Sequence, residues 1–414
     1  MPCLLRSVIL AVLLPLPAVA QDLVGHGGPV GALALEGDRA LSGGFDTRAI
    51  LWDMDSGAAR NVTRFHDGNV TAVALFADGR FATAGQDGRV AIWQSDSRAP
   101  EFATGHGVSA ISSLALSPDQ AHLAAGFWDG TVQVLDLGAG GNARVQAHGD
   151  RVTGLVWLAS GKLVSVGSDL RMARWSPELD LAGRTDLPDL PNGLAVTRDR
   201  LAVVFAEGAL RLYSPRGDLL PERFLTDRPL VAVAARGGVV TAGAIDGTVW
   251  LLEADGLSER FRIDAATGPV WALATEGDVL LSAGADGMIR RWSARDGAPL
   301  GQGAATSQTA VDDGSRGAQV WRACAVCHSL EPGDQSRAGP SLHGIFGQRI
   351  ATRPGYDYSE ALQQLDIVWT KRTVAELFEF GPEAYTPGSR MPEQRVASAE
   401  DRQALVEFIE RMSR

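Results

Sequence analysis

One pattern recurs seven times between residues 41 and 292, and it limits the fold more than any other feature of the chain. Its copies read LSGGFDTRAILW, ATAGQDGRVAIW, LAAGFWDGTVQVL, VSVGSDLRMARW, VVFAEGALRLY, VTAGAIDGTVWLL and LSAGADGMIRRW. Each copy is a short strand, a turn around an acidic residue, and an alternating strand. The turn acids are Asp46, Asp87, Asp129, Asp169, Glu207, Asp246 and Asp286, spaced by 41, 42, 40, 38, 39 and 40 residues. A large side chain follows each acid by six positions. An alternating apolar strand precedes every copy, as in VGALALEGDR and VTAVALFADGR, and a third strand leads into the next. Four strands per roughly 40 residues, repeated in series, specify a β-propeller blade. The 48 glycines suit such a turn-rich chain.

These residues resemble the WD-repeat family over roughly residues 22 to 303. In that family a His, a Ser or Thr, the turn Asp and a Trp form a buried hydrogen-bonded set. The resemblance places such sets at His26, Ser42, Asp46 and Trp52; at His66, Thr83, Asp87 and Trp93; and at His148, Ser165, Asp169 and Trp175. It also gives His106 and Asp129 to the third blade, Ser282, Asp286 and Trp292 to the seventh, and a degenerate set of Val203, Glu207 and Tyr213 to the fifth. One His per repeat at one place makes each a member of its own blade and not part of a metal ring. The ring closes either through QDLVGH at residues 21 to 26 or through residues after 294.

The beginning, MPCLLRSVILAVLLPLPAVA, has the charge, apolar run and small-x-small ending of a secretory signal cleaved after Ala20. Its prolines and short apolar run argue against a membrane span, and no later segment is expected to cross one. Removing residues 1–20 removes Cys3 and leaves only Cys324 and Cys327, so the exported chain is not a disulfide scaffold. The whole chain carries a net charge of -11, which argues against nucleic acid or an anionic bilayer as partner. Residues 315–414 contain 12 basic and 13 acidic side chains, so the acidic excess belongs to the repeats.

Past a Gly, Ala, Ser and Thr-rich linker at 301–314 the periodicity becomes helical. GAQVWRACAVC, TVAELFEF and SAEDRQALVEFIERMS each repeat apolar residues at three- and four-residue intervals. The chain is thus expected to be multidomain: signal at 1–20, an all-β seven-bladed propeller at 21–300, the linker, and a small all-α domain at 315–414.

CAVCH, residues 324–328, would serve zinc, a redox dithiol or covalent haem. Zinc lacks ligands, since only His343 remains in this region, and a dithiol lacks its βαβ context. Haem c needs two thiols and an adjacent imidazole, which Cys324, Cys327 and His328 supply. A soft thioether would fill the other axial position, and of Met391 and Met412 the former lies in a loop able to fold over the haem face.

Residues 317–409 resemble class I cytochrome c through AGPSLHGIFG, PGYDYSEAL, Trp369 and YTPGSRM. The resemblance implies that the Pro340 carbonyl orients the proximal imidazole, that Tyr358 and Trp369 bind the haem propionates, and that Ser389 replaces the usual Thr of the Met loop. It also packs Gly317 and Trp321 on Leu405 and Phe408. The family's Tyr before that loop becomes Phe378, and its propionate Arg becomes Gln348 followed by Arg349. With Lys371 the domain's single lysine, docking is not expected to rely on a lysine ring. The expected function is periplasmic electron transfer by one covalent haem c, the propeller docking a redox protein there or at the haem edge. The alternative is an oxidoreductase with its substrate site on the propeller and the cytochrome as built-in acceptor.

Overall fold

A computed structural model describes residues 21–97, 99–138, 140–301, 313–325, 328–333, 339–354, 356, 358–387, 389, 391, 395–396 and 398–413, with backbone alone at 322, 323 and 383. Residues 1–20, most of the linker and Cys327 lie outside the described residues, so the signal and second-thiol expectations concern positions not described.

The repeats form seven antiparallel four-stranded sheets. Blade one runs Val30–Glu36, Arg39–Gly44, Arg48–Asp53 and Ala59–Arg64, and five more repeat that order from Val70 to Asp264. The seventh has Val270–Glu276, Val279–Gly284 and Met288–Ser293, and its fourth strand is the N-terminal Leu23–Val24, paired as Leu23 with Ile289 and Val24 with Met288. The chain end after this blade also returns, bridging Trp292 to Pro299 and donating the Leu300 N–H to the Arg291 carbonyl at 2.8 Å. Both proposed closures therefore contribute to one sheet edge, which removes the free edge that open sheets must otherwise protect. The inner strands bury one face between neighbouring blades, and Leu41, Ile50, Leu51, Val203 and Leu210 have no exposed surface.

The turn acids act first on their own turns. Oδ1 of Asp46, Asp87, Asp129, Asp246 and Asp286 accepts from the backbone N–H two residues on, at 3.0 to 3.3 Å. In blades one, two and four the carboxylate also takes the His Nδ1 proton, at 3.0, 3.0 and 2.8 Å. The His Nε2 lies 2.7 to 2.9 Å from a Ser or Thr hydroxyl, which also accepts from the Trp indole. Every polar atom of these buried rings is paired, so burial costs little. A glycine stands two residues before the turn acid of each set for a steric reason: a Cβ at Gly44 or Gly85 would come within 2.3 or 2.7 Å of the His ring.

Blade three departs from expectation. Four positions separate His26, His66 and His148 from their first strand residue, but five separate His106 from Ile111. The extra residue turns the His106 ring outward, where its side chain is 65% exposed and Nε2 lies 3.5 Å from Asp67 of the preceding blade. His106 is therefore not a buried member of its blade, and Asp129 instead pairs its own N–H with Ser109 Oγ. Blade five substitutes different chemistry, with Arg211 paired to Glu207 and Glu222 and stacked over Phe205 and Phe224.

Among the described residues the C-terminal region contains five helices: α1 (Arg316–Ala325), α2 (Glu360–Gln363), α3 (Lys371–Phe380), α4 (Pro382–Tyr385) and α5 (Ala399–Met412). Caps fix their starts: Thr370 and Thr373 close a reciprocal capping box on α3, and Ser398 accepts from the Asp401 N–H on α5. α1 crosses α5 at Gly317, where a Cβ would come within 2.3 Å of the Ala404 carbonyl. One turn on, Trp321 packs on Phe408 with ring centroids 6.2 Å apart. Leu405, Val406, Phe408 and Ile409 bury one stripe of α5, each contributing roughly 1.5–3 kcal/mol through burial. This crossing holds α1, and hence Cys324, rigidly.

Candidate haem site

Cys324 sits in the last turn of α1, and the His328 N–H donates to its carbonyl at 2.9 Å, the bond of one further helical turn. That bond explains the motif's spacing, because it brings the imidazole one turn beyond the first thiol. The ring is fixed from outside: His328 Nδ1 donates to the Pro340 carbonyl at 2.8 Å. Proline helps here, since its lack of an N–H and its fixed φ hold the strap that presents this carbonyl. The strap is tied back through the Leu342 N–H to the Ser329 carbonyl at 2.8 Å.

His328 and Cys324 line a cavity of about 430 Å³, within the range of roughly 300–1,000 Å³ usual for cofactor pockets. Met391 lines the same cavity, as do Pro340, Tyr358, Trp369 and Ser389. The apolar wall includes Leu342, Ile345, Leu362, Leu377, Phe378 and Ile409. The Met391 loop is held by a turn, with the Ser389 N–H on the Thr386 carbonyl at 3.0 Å and the Met391 N–H on Ser389 Oγ at 3.0 Å. Ser389 thus positions the backbone of the residue it precedes by two.

Phe378 contributes an apolar ring to the wall, leaving Tyr385 as the phenol nearest the loop in sequence. Its hydroxyl donates to Glu376 at 2.8 Å, and burial together with that carboxylate pushes the phenol up to about 12. Burial likewise pushes the Tyr358 phenol up. Trp369 is placed by pairing beside the strap, its N–H donating to the Gln348 carbonyl and its own carbonyl accepting from Gly347. Sequence reading missed Arg60, Asn61 and Asp96, propeller residues that line the same cavity.

The donor set suits haem c. A thiol, an imidazole with its far nitrogen anchored, and a thioether meet in a mainly apolar pocket that Arg60, Asn61 and Asp96 of the propeller also line, the combination of ligands that a covalently attached, six-coordinate haem requires.

The sequence profile of the family described as Cytochrome c matches residues 314–413. Cytochrome c of Cochliobolus lunatus is 36% identical over 99 residues, which cover 24% of this chain and 91% of that protein. The chain belongs to the cytochrome c family. Cytochrome c2 of Blastochloris viridis is 35% identical over 106 residues, covering 26% of the chain and 80% of that protein. As a cytochrome c the chain carries a covalently bound haem c, and its C-terminal region points to electron transfer. The profile of the WD domain, G-beta repeat matches residues 60–94 and 100–136. The crystal structure of the computationally designed Ika8 protein shares the fold, with a TM-score of 0.53 at 19% identity over 66% of this chain and 99% of that one.

Proposed function

We propose that this cytochrome is a periplasmic single-electron carrier whose propeller docks a redox partner. In this reading His328 and Met391 ligate the haem iron, and Cys324 and Cys327 attach the haem through thioethers. The observation that carries it is the meeting of His328, Met391 and Cys324 on one cavity, with His328 Nδ1 fixed on the Pro340 carbonyl. A ring that donates from Nδ1 ligates through Nε2, and the hydrogen bond makes that nitrogen a better ligand. Haem supplies the one-electron chemistry, while a thioether ligand favours the reduced state. The chain's own residues orient the imidazole, position the Met loop through Ser389, and keep water out with the apolar wall.

Two further observations support the rest of the reading. Residues 1–20 have the composition of an export signal, and among the described residues no helix is long and apolar enough to cross a membrane. On the propeller, Phe45, Trp128 and Ile245 each precede a turn acid, so they share one rim, and each is at least 40% exposed. Exposed aromatic and aliphatic anchors at equivalent positions are suited to protein docking.

The test begins with denaturing extraction of the exported protein. Haem that stays with a chain beginning at Gln21 supports attachment and export; a retained N-terminus inside the cell sinks the export reading. Met391→Ala should lose the far-red band of iron–sulfur ligation, and its persistence would remove Met391 from the iron. Haem reduction by a small-molecule substrate, with no partner protein present, would overturn the carrier reading and favour a substrate site on the propeller.

A further inference from the structure

The haem cavity is not walled by the helical region alone. Ala59, Arg60, Asn61 and Val62, from the outer strand of blade one, line it together with Asp96, from the turn after the third strand of blade two. Among the described residues that line the cavity, Arg60 is the one guanidinium and Asp96 the one carboxylate.

Blade one departs from its siblings at the positions that make this contact. Val62 pairs with Ile50, four residues past the turn acid. At the same register blades three to six carry Arg144, Arg184, Glu222 and Arg262, all charged and exposed, whereas Val62 is apolar and half-buried. Ala59 differs likewise: Leu181, Leu219 and Glu259 hold its place in blades four to six and are exposed, while Ala59 is small and half-buried. A strand that replaces an exposed charge with an apolar side chain has a face suited to being covered, and here the helical region shares a cavity with that face.

The propeller's own bonds set this wall. Arg60 donates from Nε to Asp53 and from Nη2 to Asp38, both at 2.9 Å, which balances its charge within blade one. Asn61 donates its amide protons to the Ser95 and Ser97 carbonyls at 3.0 and 2.8 Å, tying the strand to the turn that carries Asp96. Asp96 is exposed, so its carboxylate stands at the mouth of the cavity.

We propose that the outer strand of blade one is the seat of the cytochrome region: it closes the haem cavity from the propeller side and leaves the rim of Phe45, Trp128 and Ile245 for the redox partner. The inference rests on haem occupying this cavity. The seat limits the water that reaches the cofactor, and the Asp96 carboxylate at its edge favours the oxidised, more positive state.

The experiment uses full-length holoprotein, with covalent haem content measured first. Asp96→Asn should raise the midpoint potential at neutral pH. Glu178→Gln, which removes the exposed carboxylate at the equivalent turn of blade four, should leave it at the wild-type value. Val62→Arg gives blade one the residue type that blades three, four and six carry there, so the propeller should melt as before. It should nevertheless unseat the helical region and enlarge the shift of the haem Soret band on adding glycerol, a measure of haem exposed to solvent. If Val62→Arg does not accumulate, Ala59→Leu, the residue of blades four and five at that register, is read in its place. A wild-type potential in Asp96→Asn, an equal rise in Glu178→Gln, or an unchanged Soret response in the seat variant overturns the proposal. Wild-type protein without covalent haem would instead sink the cofactor reading on which the inference rests.

Discussion

Histidine is used in two ways in this molecule, and the contrast separates its scaffold from its chemistry. In blades one, two and four the ring is held at both ends: Nδ1 meets a turn carboxylate and Nε2 a hydroxyl. His328 is also anchored through Nδ1, but on a backbone carbonyl, and its ring borders the cavity that contains Met391. Fixing one nitrogen is thus common to both. What differs is whether the other faces a short hydroxyl, which ends the chain of hydrogen bonds, or a space shaped for a cofactor. Anchoring Nδ1 on a carbonyl fixes the tautomer in which Nε2 carries the lone pair that a metal takes.

The sharpest way to break this comparison is to truncate one histidine of each kind. His328→Ala should abolish the six-coordinate haem spectrum while the propeller still melts at its usual temperature. His148→Ala should do the reverse, keeping haem stoichiometry and spectrum unchanged. Loss of the haem spectrum in His148→Ala would show that the two uses are coupled.

Within the propeller, the next effect in size is the removal of one complete set. His66→Ala leaves Asp87 and Thr83 buried without their partner, and should cost about 2–4 kcal/mol of stability, measured by thermal or denaturant unfolding followed in the far ultraviolet. His106→Ala should be near neutral, within about 0.5 kcal/mol, because its ring is exposed and its ion pair with Asp67 is solvated. Equal costs for the two would contradict the distinction between the blades.

That pair also shows how far the sequence could be read. The 40-residue period and the turn acids made the seven sheets legible, because each blade writes the same strand and turn chemistry again. The placement of His106 was not legible by type, since a single inserted residue before Ile111 decides which way the ring points. Blade closure was legible only as two alternatives, since an edge that two short segments complete bears no local signal. In the helical region CAVCH, Met391 and the Pro340 strap announced the site through order and spacing. Arg60, Asn61 and Asp96 did not, because they reach the cavity only through the packing of propeller and helical region, which no local pattern reveals.

The exposed rim offers a smaller test on the docking side of the contrast. Trp128 is 42% exposed and lies under the Arg151 guanidinium at 4.7 Å, a geometry that presents a large ring without freeing it to rotate. Trp128→Ala should weaken capture of the redox partner by roughly 1–3 kcal/mol, or about 5- to 150-fold, with the haem potential unchanged. A changed potential with unchanged capture would place the partner surface elsewhere.

The smallest effect is a pH dependence that should belong to the propeller alone. Burial holds the His148 imidazole below its ordinary value of 6.5, and although Asp169 opposes this, the net direction is down. The folded blade therefore binds fewer protons than the unfolded chain, so its contribution is complete above about pH 6.5 and declines as pH falls toward the folded value. Asp87 behaves similarly in a lower window: burial works against its ionisation, but His66 and Arg89 outweigh it and hold the carboxyl well below 3.8. Its contribution is complete above that ordinary value and is lost only in stronger acid. Melting curves from pH 7 to pH 5 should accordingly show a gradual fall in propeller stability that His148→Gln flattens, while the haem spectrum stays constant across the same range. An unchanged slope in His148→Gln would mean that a different group carries the proton, and that the paired histidines of the blades are as insensitive to acid in this range as their hydrogen bonds alone would make them.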